Sequence, residues 1–576
     1  MKNSKYFLLV MLGLMSVPAL AQETYQNTKM AENGLTGTAR YVGMGGAMEA
    51  LGADISTMSS NPAGIGLFRK SQVSMTFGVV AQTDAETDLN YNGSTLSFDG
   101  KKSKTSFDQA GLVWSPSSKG SNYINLGFNY HKSTNFNQIL TAVGRLDGAS
   151  QNRLTAAKYA KIRKEVNDYA ESHPNASSKD LQDYSNYLGD MIATGVDYGY
   201  QNMFGTNADG SMMNSLKGED FLFGQYQHGY IGVYDFNISG SLNNRVWLGL
   251  TVGLHDVHYN SNSSYGEILE QVGTASDGSS VNAATNSMEQ VKITGTGFDV
   301  KFGAIFRPFV DSPFRIGVYV NSPVFYDLTR SSAIDMEAYN LPKSFAPSES
   351  QPGISGNLYD SDYHNISDYD FRLNTPWKVG ASLGHTIGSN IALGATYEYA
   401  WYNHMDTRIK DGGYYDYYWG EYYESSTSDK VMNENTKSSL NGVSTLKIGM
   451  EYKPIQMLAL RFGYNYVSPM FDKYGFRDQS LICGADANNN NGVNTSASSD
   501  YTNWKATNRF TVGVGFNYQN LSIDVAYQYS TQNGDFYPYM SYYPEDNSNK
   551  LGANISPVTK VDNKRHQLLM TVGYKF

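Results

Sequence analysis

The chain has 576 residues, a formal net charge of −10 and a pI near 5.4, a balance that argues against an electrostatic nucleic-acid binder with a basic phosphate-facing patch. Mean hydropathy is −0.44, and beyond the N-terminal stretch there is no run of roughly 18 apolar residues, which argues against a helical membrane protein. The 45 tyrosines and 56 glycines against 16 prolines suit long strands with aromatic girdles, and the single Cys483 forms no internal disulfide.

Met1–Ala21 has the form of a secretory signal peptide. Lys2 and Lys5 give the positive start, Tyr6–Met15 the apolar stretch, and Ala19-Leu20-Ala21 the small-x-small cleavage site, so Gln22 is the expected mature N-terminus. The apolar stretch is too short for a transmembrane anchor, and no cysteine follows the cleavage site to carry a lipid. Residues 22–70 do not read as a membrane strand. Gly37, Gly43, Gly45, Gly46, Gly52, Gly64 and Gly66 make a compact segment, suited to close backbone approach inside a barrel lumen.

From Gln72 onward the pattern changes to strict alternation. Val246, Leu248, Leu250, Val252 and Leu254 alternate with Trp247, Gly249, Thr251, Gly253 and His255, and the stretches from Leu446, Phe510 and Leu521 behave alike. About fourteen such segments are expected, starting near Gln72, Phe107, Asn122, Gln225, Arg245, Gln290, Phe314, Asp368, Ile391, Lys437, Met457, Ala506, Leu521 and Arg565. Their connections alternate between short and long. The short ones lie near Ser117–Gly120, Asn243–Asn244, Val310–Pro313, Gly388–Asn390, Pro454–Gln456 and Gln519–Asn520; the long polar ones are 83–105, 134–223, 261–288, 327–367, 409–436, 471–505 and 532–563. A transmembrane antiparallel up-and-down β-barrel requires this rhythm, with tight turns on one rim and long loops on the other. A soluble sandwich does not. The last strand, with Leu568, Met570, Val572, Tyr574 and Phe576 on one face, fits the closing strand of an outer-membrane barrel, which the barrel-assembly machinery would engage. The lumen-facing set includes Arg315, Lys378, Glu398, Lys447, Glu451, Arg461 and Asp524, which are expected to pair with one another or with a plug rather than stand alone.

The insertion 134–223 is too long for a plain loop. Leu154, Tyr159, Ile162, Val166 and Tyr169 recur at helical spacing, as do Leu181, Tyr184, Leu188 and Met191 behind the potential caps Ser177 and Ser178. A small helical lid over the extracellular mouth is expected, serving either ligand capture or simple shielding.

The run from Gly46 to Gly64, GAMEALGADISTMSSNPAG, resembles the N-terminal hatch of the FadL/OmpP1/TodX family of outer-membrane transporters of hydrophobic compounds. Asn61, Pro62 and Ala63 occupy the family's Asn-Pro-Ala motif, followed by Gly64 and preceded by Asp54, Ser56 and Thr57; Ile55 stands where the family has an acidic or small residue. The resemblance implies domains of signal peptide (1–21), hatch (22–70) and fourteen-stranded barrel (71–576). It also implies passive uptake of hydrophobic small molecules such as long-chain fatty acids, with a lateral exit at a kinked strand. The expected setting is the outer membrane, among its lipid and lipopolysaccharide, as a monomer without a cofactor and without enzymatic activity.

Other signals fail on detail. Gly43–Met48 lacks the third glycine of a dinucleotide fingerprint. His255 and His258 face opposite sides of a strand and cannot share a metal. Asp486–Asn490 starts like a calcium loop, but Asn491 and Ala497 replace the required glycine and glutamate, so the stretch 488–494 reads as a solvated loop tip. The aromatic runs Tyr414–Tyr423 and Phe536–Tyr543 suit sugars, lipid headgroups, ligand or interface packing. Two rival functions stay open. One is a receptor or adhesin, including a haem receptor, acting through the loops. The other is an enzyme barrel of the phospholipase or protease type, for which His131, His228, His255, His385 and His404 sit on expected strands but in no known motif.

Overall fold

Alternation of apolar and small or polar residues builds a single closed wall in the computed structural model, which describes residues 24–576 apart from 117–119, 208–212, 346–366, 478–498 and 544–551. The expectations for Met1–Ala21, Cys483 and the stretch 486–497 lie outside the described residues. The wall strands are β1 (Gln72–Thr83), β2 (Ser103–Trp114), β3 (Tyr123–Asn135), β4 (Gly218–Leu242), β5 (Val246–Thr274), β6 (Ser280–Phe306) and β7 (Arg315–Asn321). They continue as β8 (Lys378–Ile387), β9 (Ile391–Ala400), β10 (Val443–Ile455), β11 (Leu458–Val467), β12 (Tyr501–Tyr518), β13 (Leu521–Tyr537) and β14 (Thr559–Lys575). Each pairs antiparallel with its neighbour in sequence, and Gln72–Thr83 pairs with Lys575–Lys564 to close the ring of fourteen. The tight rim uses turns that the sequence anticipates: Asn243 and Asn244 both take φ 53°, the left-handed pair of a two-residue hairpin.

The outward residues form an apolar belt. Leu248, Leu250, Val252 and Leu254 are exposed on β5, as are Phe510, Val512, Val514, Phe516 and Tyr518 on β12, while the intervening Trp247, Thr251 and Thr511 are buried. An apolar outer surface on a closed antiparallel sheet is the form in which strands cross a bilayer, because the backbone polar groups are satisfied within the sheet.

One quadrant of the wall is stepped. β7 breaks at Ser322-Pro323 and resumes as Phe325–Tyr339; Ser367–Asn374 is separated from β8 by Thr375-Pro376-Trp377. β9 breaks at the turn Tyr402–His404 and resumes as Asp406–Asp416, so His404 lies on a turn and not on the expected strand. The breaks align, since Asn321, Lys378, Ala400 and Val443 pair in a row below them and Phe325, Asn374 and Asp406 pair in a row above. Proline supplies no ladder N–H, so each Pro ends regular pairing where it falls. Beside this quadrant, Lys437 does not begin a strand as expected. It belongs to α6 (Lys430–Ser439), whose first turn is capped by Asp429, and β10 starts at Val443.

On the long-loop rim, α3 (Gln151–Ser172) and α4 (Ser178–Ile192) form where the periodicity places them, the latter behind a Ser177–Asp180 capping box. A third helix, α5 (Gly195–Phe204), is unanticipated; two glycines weaken its helical signal. Strand pairing also reaches further than expected, with Gln138–Arg145 inside the insertion and the β5–β6 hairpin running from Val246 to Phe306. The helices are fastened by buried polar contacts. Lys158 Nζ meets Asp197 at 2.5 Å, and Tyr200 donates to Glu267 at 3.0 Å. Glu267, well above the lipid-facing positions that end at Leu254, also accepts from the Gln151 backbone at 2.7 Å and from Tyr265 at 3.1 Å.

Burial pushes the Glu267 carboxyl up to about 7, against the lowering effect of these hydrogen bonds. Its folded value lies above its unfolded one, so its contribution to helix docking is complete below the unfolded value and is lost as pH rises through 7. Hydrogen exchange of α3 and α5 at pH 5 and pH 8 is expected to show protection falling by about 3 kcal/mol at the higher pH. In Glu267→Gln the two pH values are expected to give the same protection.

Candidate functional site

Residues 24–68 fold as a small body against the inner face of the wall. It contains α1 (Thr24–Ala31), α2 (Ala39–Gly43) and two 3-10 turns, Ile55–Ser59 and Pro62–Leu67. Small apolar clusters, Leu35, Val42, Met44, Met48 and Leu51 in one and Ile55, Met58, Ile65 and Phe68 in the other, are tied together by short polar side chains. Thr38 Oγ1 donates to both oxygens of Asp54 at 2.9 Å, and Asp54 caps the first turn by accepting from the Ser56 backbone at 3.0 Å. Thr57 Oγ1 donates to the Asp54 carbonyl at 2.7 Å. Asn61 caps the second turn through the Ala63 N–H at 3.2 Å and donates to the Glu49 carbonyl at 3.0 Å, with Pro62 at the first helical position. Gly64 leaves room for Thr57 and Gly52, which a Cβ would strike. Asp54, Ser56, Thr57, Asn61, Pro62, Ala63 and Gly64 are thus one buried, mutually capped unit.

The wall receives this body on glycine. Gly384, Gly394, Gly449 and Gly463 pair directly across β8, β9, β10 and β11. A Cβ at Gly394 would overlap the Ala47 carbonyl, one at Gly449 the Met44 carbonyl, one at Gly463 the Gly45 N–H, and one at Gly249 the Pro62 backbone. Lumen charges then fix the register. Lys447 meets Glu49 at 2.8 Å, and Thr396 and Tyr41 donate to the same carboxylate at 2.7 and 3.0 Å. Arg40 and Arg461 clamp Glu451 at 3.1 and 2.7 Å, Arg461 reaches Asp524 at 2.7 Å, and Arg315 donates to the Leu51 carbonyl at 2.7 Å. Glu398 accepts from Tyr319 at 2.7 Å, and Lys378 stands at the lower lip of the Thr375–Pro376 break. The seven charges singled out in the sequence serve the wall and its N-terminal body; none of them lines the cavity described below.

A second network escaped the sequence reading. Ser59 donates to Asp235 at 2.6 Å and lies 2.8 Å from His131 Nε2, which is itself 3.1 Å from Asp235. Lys301 joins Asp235 at 3.1 Å to Asp299 at 2.6 Å, and His255 lies 3.5 Å from Asp299. Although Ser, His and Asp meet here, Ser59 and Asp235 approach the same ring nitrogen. A nucleophile triad needs the carboxylate on the opposite nitrogen, so this is a buried latch between the N-terminal body and β3, β4 and β6. Its signal was present in the sequence: Asp235, Asp299 and Lys301 all fall at inward positions of alternating strands.

Above the N-terminal body lies a cavity of about 260 Å³. Leu35, Val80, Phe136, Leu140 and Val291 give it apolar surface, and Lys29, Glu32, Arg509 and Arg565 give it charge. Arg509 donates to Asn465 Oδ1 at 2.8 Å and Arg565 to the Asn135 carbonyl at 3.2 Å; among the described residues neither forms an ion pair with a carboxylate. The cavity reaches β3 at Thr134, Asn135 and Phe136, where the wall is irregular. β3 carries a bulge between Lys132 and Thr134, and its continuation Gln138–Arg145 bridges to Gln82 on β1 through two hydrogen bonds at Ile139, of 2.7 and 2.8 Å. Consequently β2 pairs with β3 only over Gln109–Trp114, while Ser103–Phe107 pair with β1 alone, and the β2–β3 ladder stops at Gln109–His131. The N-terminal body holds the bulge itself: Gly34 N donates to the Ser133 carbonyl at 2.9 Å, and Thr134 Oγ1 donates to the Glu32 carbonyl at 2.6 Å.

No protein-family model and no curated protein matches the chain. Among solved structures it is similar to a Pseudomonas aeruginosa FadL homologue, at 13% identity and TM-score 0.47, covering 94% of this chain and 99% of that one. It is also similar to the Ralstonia pickettii toluene transporter TbuX, at 12% identity and TM-score 0.44 over 94% and 99%, and to the Pseudomonas putida toluene transporter TodX, at 11% and 0.42 over 95% and 99%. The barrel itself rests on the pairing register and the outward apolar belt described above.

Two substitutions test how the site is held. Gly449→Val sets a side chain against the Met44 backbone, and is expected to strip hydrogen-exchange protection from residues 24–68 while β12, β13 and β14 keep theirs. Lys301→Met leaves Asp235 and Asp299 without their shared cation, with an expected loss of about 3–5 kcal/mol in denaturant unfolding. The triple change Lys301→Met, Asp235→Asn and Asp299→Asn is expected to recover most of it.

Proposed function

We propose that this chain is an outer-membrane transporter that carries hydrophobic small molecules by passive diffusion, with residues 22–70 acting as its hatch. The observation that carries the reading is the joint between cavity and wall: the cavity ends on the β3 bulge, the β2–β3 ladder stops at that level, and the N-terminal body holds the bulge by two hydrogen bonds. A ligand resting in the cavity therefore lies beside an interruption of the wall, and movement of Glu32–Gly34 would loosen its edge. Lateral exit there spares an apolar solute the cost of crossing periplasmic water, since transfer from water stabilises it by roughly 0.8 kcal/mol per methylene.

The preferred ligand in this reading is a long-chain fatty acid or a similar anionic amphiphile. Arg509 and Arg565 offer guanidinium donors that form no ion pair among the described residues, beside the Glu32 carboxyl that shares the cavity, and the apolar lining takes the chain. The chain is further proposed to reach the outer membrane through its signal peptide, to be inserted by the barrel-assembly machinery through β14 and Phe576, and to work as a monomer among lipid and lipopolysaccharide.

Mass spectrometry of lipophilic molecules extracted from the purified barrel, beside a control barrel of the same size, tests this. Enrichment of fatty acids is expected, and it should fall when Asn61-Pro62-Ala63 is replaced by Ser-Gly-Ser. Arg509→Gln with Arg565→Gln is expected to weaken retention of the anionic amphiphile by about tenfold, some 1.4 kcal/mol, and to spare an uncharged one. Equal lipid content in the two barrels overturns the proposal.

A further inference from the structure

A β-ribbon on the long-loop rim continues the stepped part of the wall outward and takes no part in the cavity. It consists of Asp406–Asp416 and Glu421–Ser428, and leans on Phe371–Asn374 only as far as Ile409. Just beyond a bulge between Lys410 and Gly413, Glu424 is still held by Arg372 at 2.8 Å and Lys410 at 3.2 Å; past that point the ribbon stands free. Residues 411–424 read DGGYYDYYWGEYYE: seven aromatic, four acidic and three glycine residues, with no aliphatic and no cationic side chain. Tyr417, Tyr418 and Trp419 at the tip are 91%, 86% and 68% exposed, and Tyr414, Tyr415, Tyr422 and Tyr423 are exposed as well. Both faces of the ribbon are bare.

The register orders these groups. Tyr414 lies opposite Tyr423 with the rings stacked at 5.4 Å, and on the same face the next pair is Asp416 opposite Glu421. Two carboxylates placed directly across a ladder repel; Asp416 Oδ1 accepts from the Tyr418 and Trp419 backbone and Glu421 Oε2 from Tyr423, which leaves each carboxylate one oxygen for a donor outside the ribbon. The opposite face carries Tyr415 opposite Tyr422, with Tyr417 edge-on to Tyr415 at 5.0 Å. Such an arrangement offers flat π surfaces beside paired hydrogen-bond acceptors.

From this we infer that the ribbon tip is a binding site for uncharged carbohydrate. A sugar ring presents C–H faces that lie on tyrosine or tryptophan, and hydroxyl donors around its edge that Asp416 and Glu421 can accept. The charge argues for an uncharged glycan: Glu424 at the base is held by Arg372 and Lys410, but Asp416 and Glu421 at the tip form no ion pair among the described residues, and with no cation between 411 and 424 they repel phosphate-bearing and uronate-bearing polymers, including the anionic outer leaflet of a membrane. The composition argues against an acyl chain or an apolar protein groove, which would take aliphatic side chains that this tip lacks. The inference does not depend on the transport reading.

Native electrophoresis of the detergent-solubilised full chain, through gels containing a neutral glucan, a galactomannan, alginate or no polymer, tests it. Retardation is expected with at least one neutral polymer and not with alginate, together with a shift in tryptophan emission that is absent in Trp419→Ala. Tyr414→Ala with Tyr423→Ala, and Asp416→Asn with Glu421→Gln, are each expected to weaken retardation at least tenfold. Tyr474→Ala, an exposed tyrosine elsewhere at 79%, is expected to leave it unchanged and controls for surface aromatics in general. Because the tip packs on nothing, these variants are expected to keep the barrel's unfolding temperature. Mobility unaltered by every neutral polymer, equal retardation by alginate, or co-sedimentation with anionic phospholipid vesicles that the tip variants abolish would each overturn the inference.

Discussion

Close approach of backbone to backbone is the constraint on which the rest of this molecule depends. A barrel of fourteen strands encloses more space than its own inward side chains fill, and here that space is taken by a chain segment. For the segment to sit flush, the wall must give up side chains where it touches, and the aligned Gly384, Gly394, Gly449 and Gly463 do so on four neighbouring strands. Glycine in a strand weakens it, so the loss is offset elsewhere by ion pairs that cross from wall to segment: Lys447 to Glu49, and Arg40 to Glu451. Burial of these charges is tolerable because each has a partner with good geometry.

The same economy explains how the site differs from an enzyme's. The buried titratable groups below the cavity hold elements together. Ser59, His131 and Asp235 satisfy one another, and Lys301 joins two carboxylates. The cavity above is lined by apolar and polar groups, with Arg509 and Arg565 donating to the neutral oxygens of Asn465 and Asn135.

Much of the wall was legible in the sequence because a strand facing lipid must alternate, and β5 does so from Val246 to His255, β12 from Phe510 to Tyr518 and β13 from Leu521 to Tyr529. The two-residue turn at Asn243–Asn244 and the helices α3 and α4 carry local signals of comparable strength. The capped unit around Asn61 was also local, being built by residues within a short stretch. What stayed hidden is what depends on distant partners. The stepped quadrant follows from Pro323 and Pro376 lying at one height, which no window of sequence contains. α5 holds through Lys158, Glu267 and their neighbours and not through its own weak propensity. The cavity draws on residues from Tyr25 to Gln567, so no motif could announce it.

Closure of the sheet has a further bearing, on the order in which the molecule can be made. β1 meets β14 through a register that joins Gln72 to Lys575, the pairing of greatest sequence separation in the wall. Forming it demands the largest loop entropy and so belongs late in folding. Residues 24–68 precede β1 and end up in contact with strands all round the ring, from β3 to β14, which places their docking before or during that final zipping. The glycine row then serves a kinetic end as well: it gives the unfinished, still open sheet a groove that the segment can occupy before the last seam shuts around it.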